Sequence, residues 1–205
     1  MIPEIKICGI TRSDEINFLN RTPIAYIGFV FAVSKRQVTP EQACKLSEGL
    51  RDGIKKVGVF TDRSLAEINW IAETCHLDII QIHGAYTDFE IKTLSRPVWK
   101  AITMKSPECV RQSKDYPSAK AFVLDTYNPV QKGGTGKVFH WEWAEGFSAH
   151  DQVVLAGGLN AGNVHKAIQI VKPHIIDVSS GVEGPSGKEE KRVIEFIKAV
   201  KKDEQ

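Results

Sequence analysis

The chain has 205 residues, 42% of them hydrophobic and 25% charged, with 27 Lys and Arg against 25 Asp and Glu. That is ordinary globular usage, which excludes disordered, collagen-like and disulfide-scaffold classes, and the near-balance of charge argues against a nucleic-acid surface. No apolar run approaches the roughly 18–20 residues of a membrane span, and no signal-peptide layout opens the chain. The expectation is a soluble, cytoplasmic protein with no nucleic-acid or membrane partner.

Taken in order, apolar and β-branched runs alternate with segments of helical spacing. EIKICGI (4–10) and IAYIGFVF (24–31) read as the first two strands. TPEQACKLSEGL (39–50) follows as a helix, with Thr39 as N-cap, Pro40 at the first position and Gln42 completing a capping box. KKVGVF (55–60) is a third strand, and DRSLAEINWIAETC (62–75) places Leu65, Ile68, Ile71 and Ala72 on one helical face. LDIIQIHG, PVWKAI, AFVLD, VVLAGG and HIIDVSSG supply strands four to eight. Helices are expected over NAGNVHKAIQIV and GKEEKRVIEFIKAVKK, with weaker ones at 106–115, which is short, and 140–149, which is rich in Trp and Phe.

Strands alternating with helices imply parallel β-α-β units. With no Gly-, Ser- or Pro-rich linker, residues 1–205 are expected to form a single (β/α)8 barrel, small beside the roughly 250 residues typical of that fold. An open doubly wound sheet is the alternative. Side chains alternate across a strand, so the barrel assigns faces. Lys6 and Cys8 lie opposite Ile5 and Ile7; Asp125 lies opposite Phe122 and Leu124. Gln81 shares a face with His83, and Asp177 shares one with Ser179. With aliphatic residues packed on the helices, the polar set points inward at the C-terminal mouth, where barrel enzymes keep their active sites.

Four cysteines, Cys8, Cys44, Cys75 and Cys109, show no C-x-x-C spacing, which weakens metal and disulfide readings; Cys44 and Cys109 fit as small apolar residues in helices. Cys8 instead ends a strand beside Gly9, which lets the chain turn away and leaves the thiol room. A thiol and the Asp125 carboxyl facing across a barrel mouth make an acid–base pair for moving protons at carbon. Inward-facing Lys6 is expected to favour the thiolate, and burial or a phosphate neighbour to raise the carboxyl. Gly157 and Gly158 after strand seven, with Gly181 after strand eight, fit a phosphate site, because glycine lets backbone N–H groups approach an anion. Arg36 is a candidate carboxylate clamp. His83 fits a hydrogen-bonded structural role as readily as a catalytic one. QKGGTGK (131–137) is not a Walker A loop and reads as a lid or a flexible connector.

KICGITR, GFVFAVSKRQV, QIHG, VLDTY…GGTGKVFHW, LAGGLNAGNV and DVSSGVEGPSGKEE together resemble the phosphoribosylanthranilate isomerases of tryptophan biosynthesis, in that family's order from residue 6 to about 190. The resemblance implies a barrel that performs an Amadori rearrangement of a phosphoribosylated anthranilate with neither cofactor nor metal. It implies Asp125 as general acid and Cys8 as general base. Arg36 would hold the anthranilate carboxylate, and the backbone of Gly157, Gly158, Ser180 and Gly181 the phosphate. Gln81, His83, Asp177 and Ser179 complete the expected substrate-binding set. The pattern departs at Val33, where many members carry proline, and at His140, where an aspartate is usual and its loss removes a helix cap.

Two other readings compete. One is a sister sugar-phosphate isomerase on the same barrel, such as that of histidine biosynthesis, which uses an aspartate pair and no strand-one cysteine. The other is a non-catalytic barrel that senses phosphorylated metabolites. A monomer and a homodimer are both compatible with the sequence.

Overall fold

The computed structural model describes residues 2–126, 138–149 and 152–202. Eight parallel strands pair in chain order and close on themselves. They are β1 (Glu4–Cys8), β2 (Tyr26–Val30), β3 (Lys55–Thr61), β4 (Ile79–His83), β5 (Val98–Met104), β6 (Ala121–Thr126), β7 (Val153–Leu155) and β8 (Ile175–Val178). Closure is made by β1 against β8, with Lys6 in register with Asp177. The doubly wound alternative is therefore excluded.

The expected parity holds around the barrel. Ile5, Ile7, Ile27, Phe60, Ile80, Ile82, Phe122, Leu124 and Ile176 face outward into the core shared with the helices. Tyr26, Val57, Ile79, Trp99, Val123, Val154 and Ile175 form a separate inner cluster. Tyr26 and Trp99 meet edge to face at 5.1 Å, filling part of the interior with aromatic bulk.

Helices α1 (Ser13–Leu19), α2 (Pro40–Glu48), α3 (Leu65–Thr74), α4 (Asp88–Ile91), α5 (Val164–Val171) and α6 (Glu190–Val200) cover the outside. The capping box of α2 forms as read: Thr39 N–H donates to Gln42 Oε1 at 2.8 Å, and Gln42 N–H to Thr39 Oγ1 at 3.2 Å. Thr87 and Glu90 make the same box at the start of α4.

The two weak helices are not α-helical. Residues Pro107–Asp115 form a 3-10 helix, and 140–149 contains two short 3-10 segments, Trp141–Ala144 and Phe147–Ala149. The first offers only half-buried Cys109 and Val110 to the core, too small an apolar stripe to hold a regular helix. The second is interrupted at Gly146, whose φ is +74°. His140 precedes its first segment without a side-chain cap bond, as expected from the missing aspartate.

After β8 the chain makes a 3-10 turn (Ser180–Val182) and a short hairpin, β9 (Glu183–Gly184) with β10 (Gly187–Lys188). The buried Glu15 of α1 holds this hairpin by accepting the Lys188 N–H at 2.7 Å.

Candidate active site at the barrel mouth

A cavity of about 490 Å³ opens among the C-terminal ends of the strands. Cys8 (β1), Arg36 (after β2), Gln81 and His83 (β4), and Asp125 (β6) line it. So do Gly157 and Gly158 after β7, and Asp177, Ser179 and Ser180 at β8. Gly181 is the one expected residue outside the lining. A Cβ there would stand 1.9 Å from the Leu159 carbonyl oxygen, so Gly181 lets the loops after β7 and β8 pack together.

Cys8 is buried, and its room comes from a residue the sequence did not single out. Gly28 sits opposite it in the β1–β2 register, and a Cβ on Gly28 would lie 2.7 Å from the Cys8 sulfur. Gly9, expected to clear space for the thiol, serves another side chain. Its φ is +84°, and a Cβ there would meet Arg36 Cδ at 2.4 Å. The other cysteines are free thiols, with Cys44 and Cys75 sulfurs 3.3 Å apart between α2 and the end of α3.

Beneath the thiol, a polar chain crosses the barrel. Lys6, wholly buried, donates to Asp177 Oδ2 at 2.7 Å and to Gln81 Oε1 at 3.0 Å. Fixing that amide oxygen on Lys6 turns Gln81 Nε2 to His83 Nε2, 3.1 Å away. The His83 ring therefore accepts there and carries its proton on Nδ1. Burial, with the charges of Lys6 and Lys100, pushes His83 down to about 4, so it is neutral at pH 7. The bond to Gln81 fits the structural reading, and the ring also lines the cavity.

Lys6 acts on Cys8 in the expected direction, favouring the thiolate, but burial outweighs it. Burial raises the Cys8 thiol above its ordinary value; Lys6 and Lys188 oppose the rise and Asp177 adds to it. Burial works against the Lys6 charge too, and Asp177, followed by Cys8, restores it and raises its pKa.

Asp125 behaves as expected of an acid. Burial pushes its carboxyl up to about 6 against a stabilising hydrogen bond from the Thr126 N–H, and Asp177 adds to the rise. Gly157 gives this carboxyl its space: a Cβ there would sit 2.8 Å from Asp125 Oδ1 and 2.4 Å from Thr126 Oγ1. The loop 131–137, read as lid or connector, lies outside the described residues.

Arg36 reaches the cavity rim but is already engaged. Its Nε donates to Glu183 Oε1 at 2.5 Å and its Nη2 to Glu183 Oε2 at 2.8 Å. Glu183 was not singled out from the sequence, and it also receives Lys188 Nζ at 2.6 Å and Lys35 Nζ at 3.0 Å. Val33, where the family pattern has proline, stands on the same loop and is strongly exposed.

Among the described residues, no cluster of three or more His, Cys, Asp or Glu side chains is placed to hold a metal ion, and no helix is long and apolar enough to cross a membrane. A raised carboxyl and a thiol that share one cavity with glycine-bearing loops after β7 and β8 place the chain in the class of (β/α)8-barrel enzymes. The sequence model described as N-(5'-phosphoribosyl)anthranilate (PRA) isomerase matches residues 5–199. The N-(5'-phosphoribosyl)anthranilate isomerase of Thermoanaerobacter sp. (strain X514) is 43% identical over 97% of this chain and 98% of its own. The crystal structure of phosphoribosyl anthranilate isomerase from Thermotoga maritima superposes with a TM-score of 0.90 at 33% identity, over 98% of this chain and 99% of that one. A phosphoribosyl anthranilate isomerase in complex with reduced 1-(o-carboxyphenylamino)-1-deoxyribulose 5-phosphate gives 0.86 at 30% identity, over 98% and 99% of the two chains. The chain belongs to the N-(5'-phosphoribosyl)anthranilate isomerase family.

Proposed function

We propose that the chain converts N-(5'-phosphoribosyl)anthranilate to 1-(2-carboxyphenylamino)-1-deoxyribulose 5-phosphate, a step of tryptophan biosynthesis, with Asp125 as general acid and Cys8 as general base. Asp125 gives its proton to the furanose ring oxygen. The C1'–O bond breaks as the anilino nitrogen lone pair forms C1'=N, giving an open-chain Schiff base. Cys8 thiolate then takes the C2' proton; the electrons of that bond form C1'=C2' and return a pair to nitrogen. The resulting enolamine tautomerises, gaining a proton at C1' and leaving a ketone at C2'. Hydrogen moves within one molecule and there is no net redox change, so the stoichiometry calls for no cofactor.

The observation that carries this reading is that Cys8 and Asp125 reach one cavity from β1 and β6, with the carboxyl raised to about 6. The glycine-bearing loops at 157–158 and 180–181 are assigned to the 5'-phosphate and Arg36 to the anthranilate carboxylate. The cavity volume falls within the few hundred to about 1,000 Å³ usual for such ligands. Gln81 and Asp177, joined through Lys6, support the floor of the site, Ser179 holds the Cys8 carbonyl, and His83 is assigned as a neutral hydrogen-bond partner of Gln81.

The test is turnover of the purified protein, followed as loss of anthranilate-substrate fluorescence. Turnover is expected with the anthranilate compound. Turnover of only the phosphoribosylated histidine precursor would reject the assignment in favour of the sister isomerase.

A further inference from the structure

A carboxylate at the edge of a site proposed to take a substrate with two anionic groups needs a reason. Glu183 carries the same sign of charge as that substrate, yet it is surrounded by three cations, Arg36, Lys188 and Lys35. Burial works against its charge, but the bonds from Arg36 and Lys188 hold its carboxyl well below the usual range, so it is ionised throughout the working pH range.

The geometry of the Arg36 contact is the informative part. A guanidinium has five N–H donors on a planar fork. Glu183 takes the Nε/Nη2 side, at 2.5 and 2.8 Å, and leaves the Nη1/Nη2 edge, which can itself form two parallel bonds to another carboxylate. The stem is fixed as well, because Arg36 Cδ rests on Gly9 at a distance no Cβ would allow. The side chain is only 12% exposed. An arginine with free rotamers would have to be ordered when substrate binds; one already held does not bear that cost.

The rest of the cluster fits positioning and not a direct contact with substrate. Lys188 Nζ is buried, and its three donors meet the Ser179 carbonyl at 3.2 Å, Ser179 Oγ at 3.2 Å and Glu183 Oε1 at 2.6 Å. It has no donor left for a ligand. Ser179 Oγ in turn donates to the Cys8 carbonyl at 2.9 Å. One carboxylate therefore ties the Arg36 fork to the strand end that carries Cys8. Three cations about one anion leave the rim net positive, which a neutral Arg–Glu pair would not.

We infer that Glu183 is a positioning residue: it holds Arg36 side-on so that the free guanidinium edge receives the substrate carboxylate. This rests on the proposed function, in which Arg36 takes that carboxylate. The test compares two substrates, N-(5'-phosphoribosyl)anthranilate and N-(5'-phosphoribosyl)aniline, which lacks the carboxylate. The readout is the ratio of their kcat/KM values. Partial loss of folded enzyme lowers both alike and leaves the ratio unchanged. Arg36→Met and Glu183→Gln are each expected to lower the ratio at least ~10-fold, mainly through KM for the anthranilate compound. The double variant is expected to go no further than Arg36→Met alone, because one residue acts through the other.

If Arg36→Met lowers the ratio and Glu183→Gln does not, the inference fails while the assignment of Arg36 stands. If Arg36→Met leaves the ratio unchanged, the assignment of Arg36 falls, and the inference with it. A ratio that rises in Glu183→Gln would show competition for Arg36, and would overturn the inference too. Should the amide variant give no folded protein, Glu183→Asp carries the test. Withdrawing the carboxylate by one methylene loosens the side-on pair, so the ratio is expected to fall about threefold or more, and an unchanged ratio overturns the proposal.

Discussion

Lys6 and Asp177 stand side by side in the β1–β8 register and form an ion pair inside the barrel, Nζ to Oδ2 at 2.7 Å. The second carboxylate oxygen, Oδ1, is buried without a hydrogen-bond partner, so the pair depends on Lys6 for its compensation. Removing one member of a buried pair strands the other charge, which typically costs ~3–5 kcal/mol.

Lys6→Met is therefore expected to destabilise the protein by about that amount, measured as urea unfolding at pH 7. The pH dependence has a definite sign. Folding raises the Lys6 pKa above its ordinary 10.5, so the contribution is complete below that value and is lost as pH rises through the folded one. The gap between wild type and variant should stay constant from neutral pH up to about 10 and narrow above it. A loss under ~1 kcal/mol at pH 7 would show that the barrel tolerates an unpaired Asp177.

Gly28→Ala tests whether the thiol needs its space. The new Cβ would stand 2.7 Å from Cys8 Sγ and 3.1 Å from Cys8 Cα, and sulfur is the atom freer to move. A displacement near 1 Å at a catalytic group costs on the order of 100-fold in rate. The expected result is a kcat reduced ~10- to 100-fold, with the unfolding midpoint lowered much less than in Lys6→Met. Unchanged kcat would mean that Cys8 does not need its present position.

Most of this arrangement was legible in the chain, because a strand's period of two is local. Once Ile5, Ile7, Phe122 and Leu124 are assigned to the helices, Lys6, Cys8 and Asp125 have nowhere to point but inward. The Thr39 capping box was legible for the same reason, its signal lying within four residues. What could not be read depends on closure. Glu183 meets Arg36 across 147 residues, and nothing in VSKRQV or VEGPSG announces the other. Gly28 looks like any glycine in a strand until β1 pairs with β2. Lys6 was correctly placed beside Cys8, but its commitment to Asp177 appears only when β8 arrives beside β1. The 3-10 geometry at 107–115 and 141–149 was also hidden, since the first carries helix formers with too little apolar surface to bury and the second is broken at Gly146.

Arg36→Met on its own should act on binding. The guanidinium makes no contact with Cys8 or Asp125, and its proposed partner is a group remote from the reacting carbons. KM for the anthranilate substrate is expected to rise ~10-fold or more with kcat changed much less, the pattern for an interaction made equally in the ground and transition states. An unchanged KM would move the carboxylate contact elsewhere on the rim.

The acid–base pair makes the sharpest prediction, in the pH dependence of kcat/KM. Asp125 must be protonated to act and Cys8 ionised, yet the carboxyl titrates at about 6 and burial raises the thiol above its ordinary 9.0. Between those values most molecules carry the carboxylate and the thiol; the reactive pair is the minor form with the proton exchanged, at a constant fraction of the total. Its population falls below pH 6, where both groups hold protons, and falls again above the thiol's pKa, where both have lost them. The profile should be a broad bell with its acid limb near 6. The substrate's phosphate also titrates near 6, so the variant isolates the enzyme's own group. Asp125→Asn and Cys8→Ala are each expected to retain fold and substrate binding while losing at least ~100-fold in turnover. In the residual activity of Asp125→Asn the plateau should disappear: Cys8 must still ionise, so kcat/KM should keep rising above pH 6 toward the thiol's own raised pKa. Near wild-type turnover in Asp125→Asn would remove it as the acid, and a plateau that still begins near 6 in the variant would show that the limb does not belong to the Asp125–Cys8 pair.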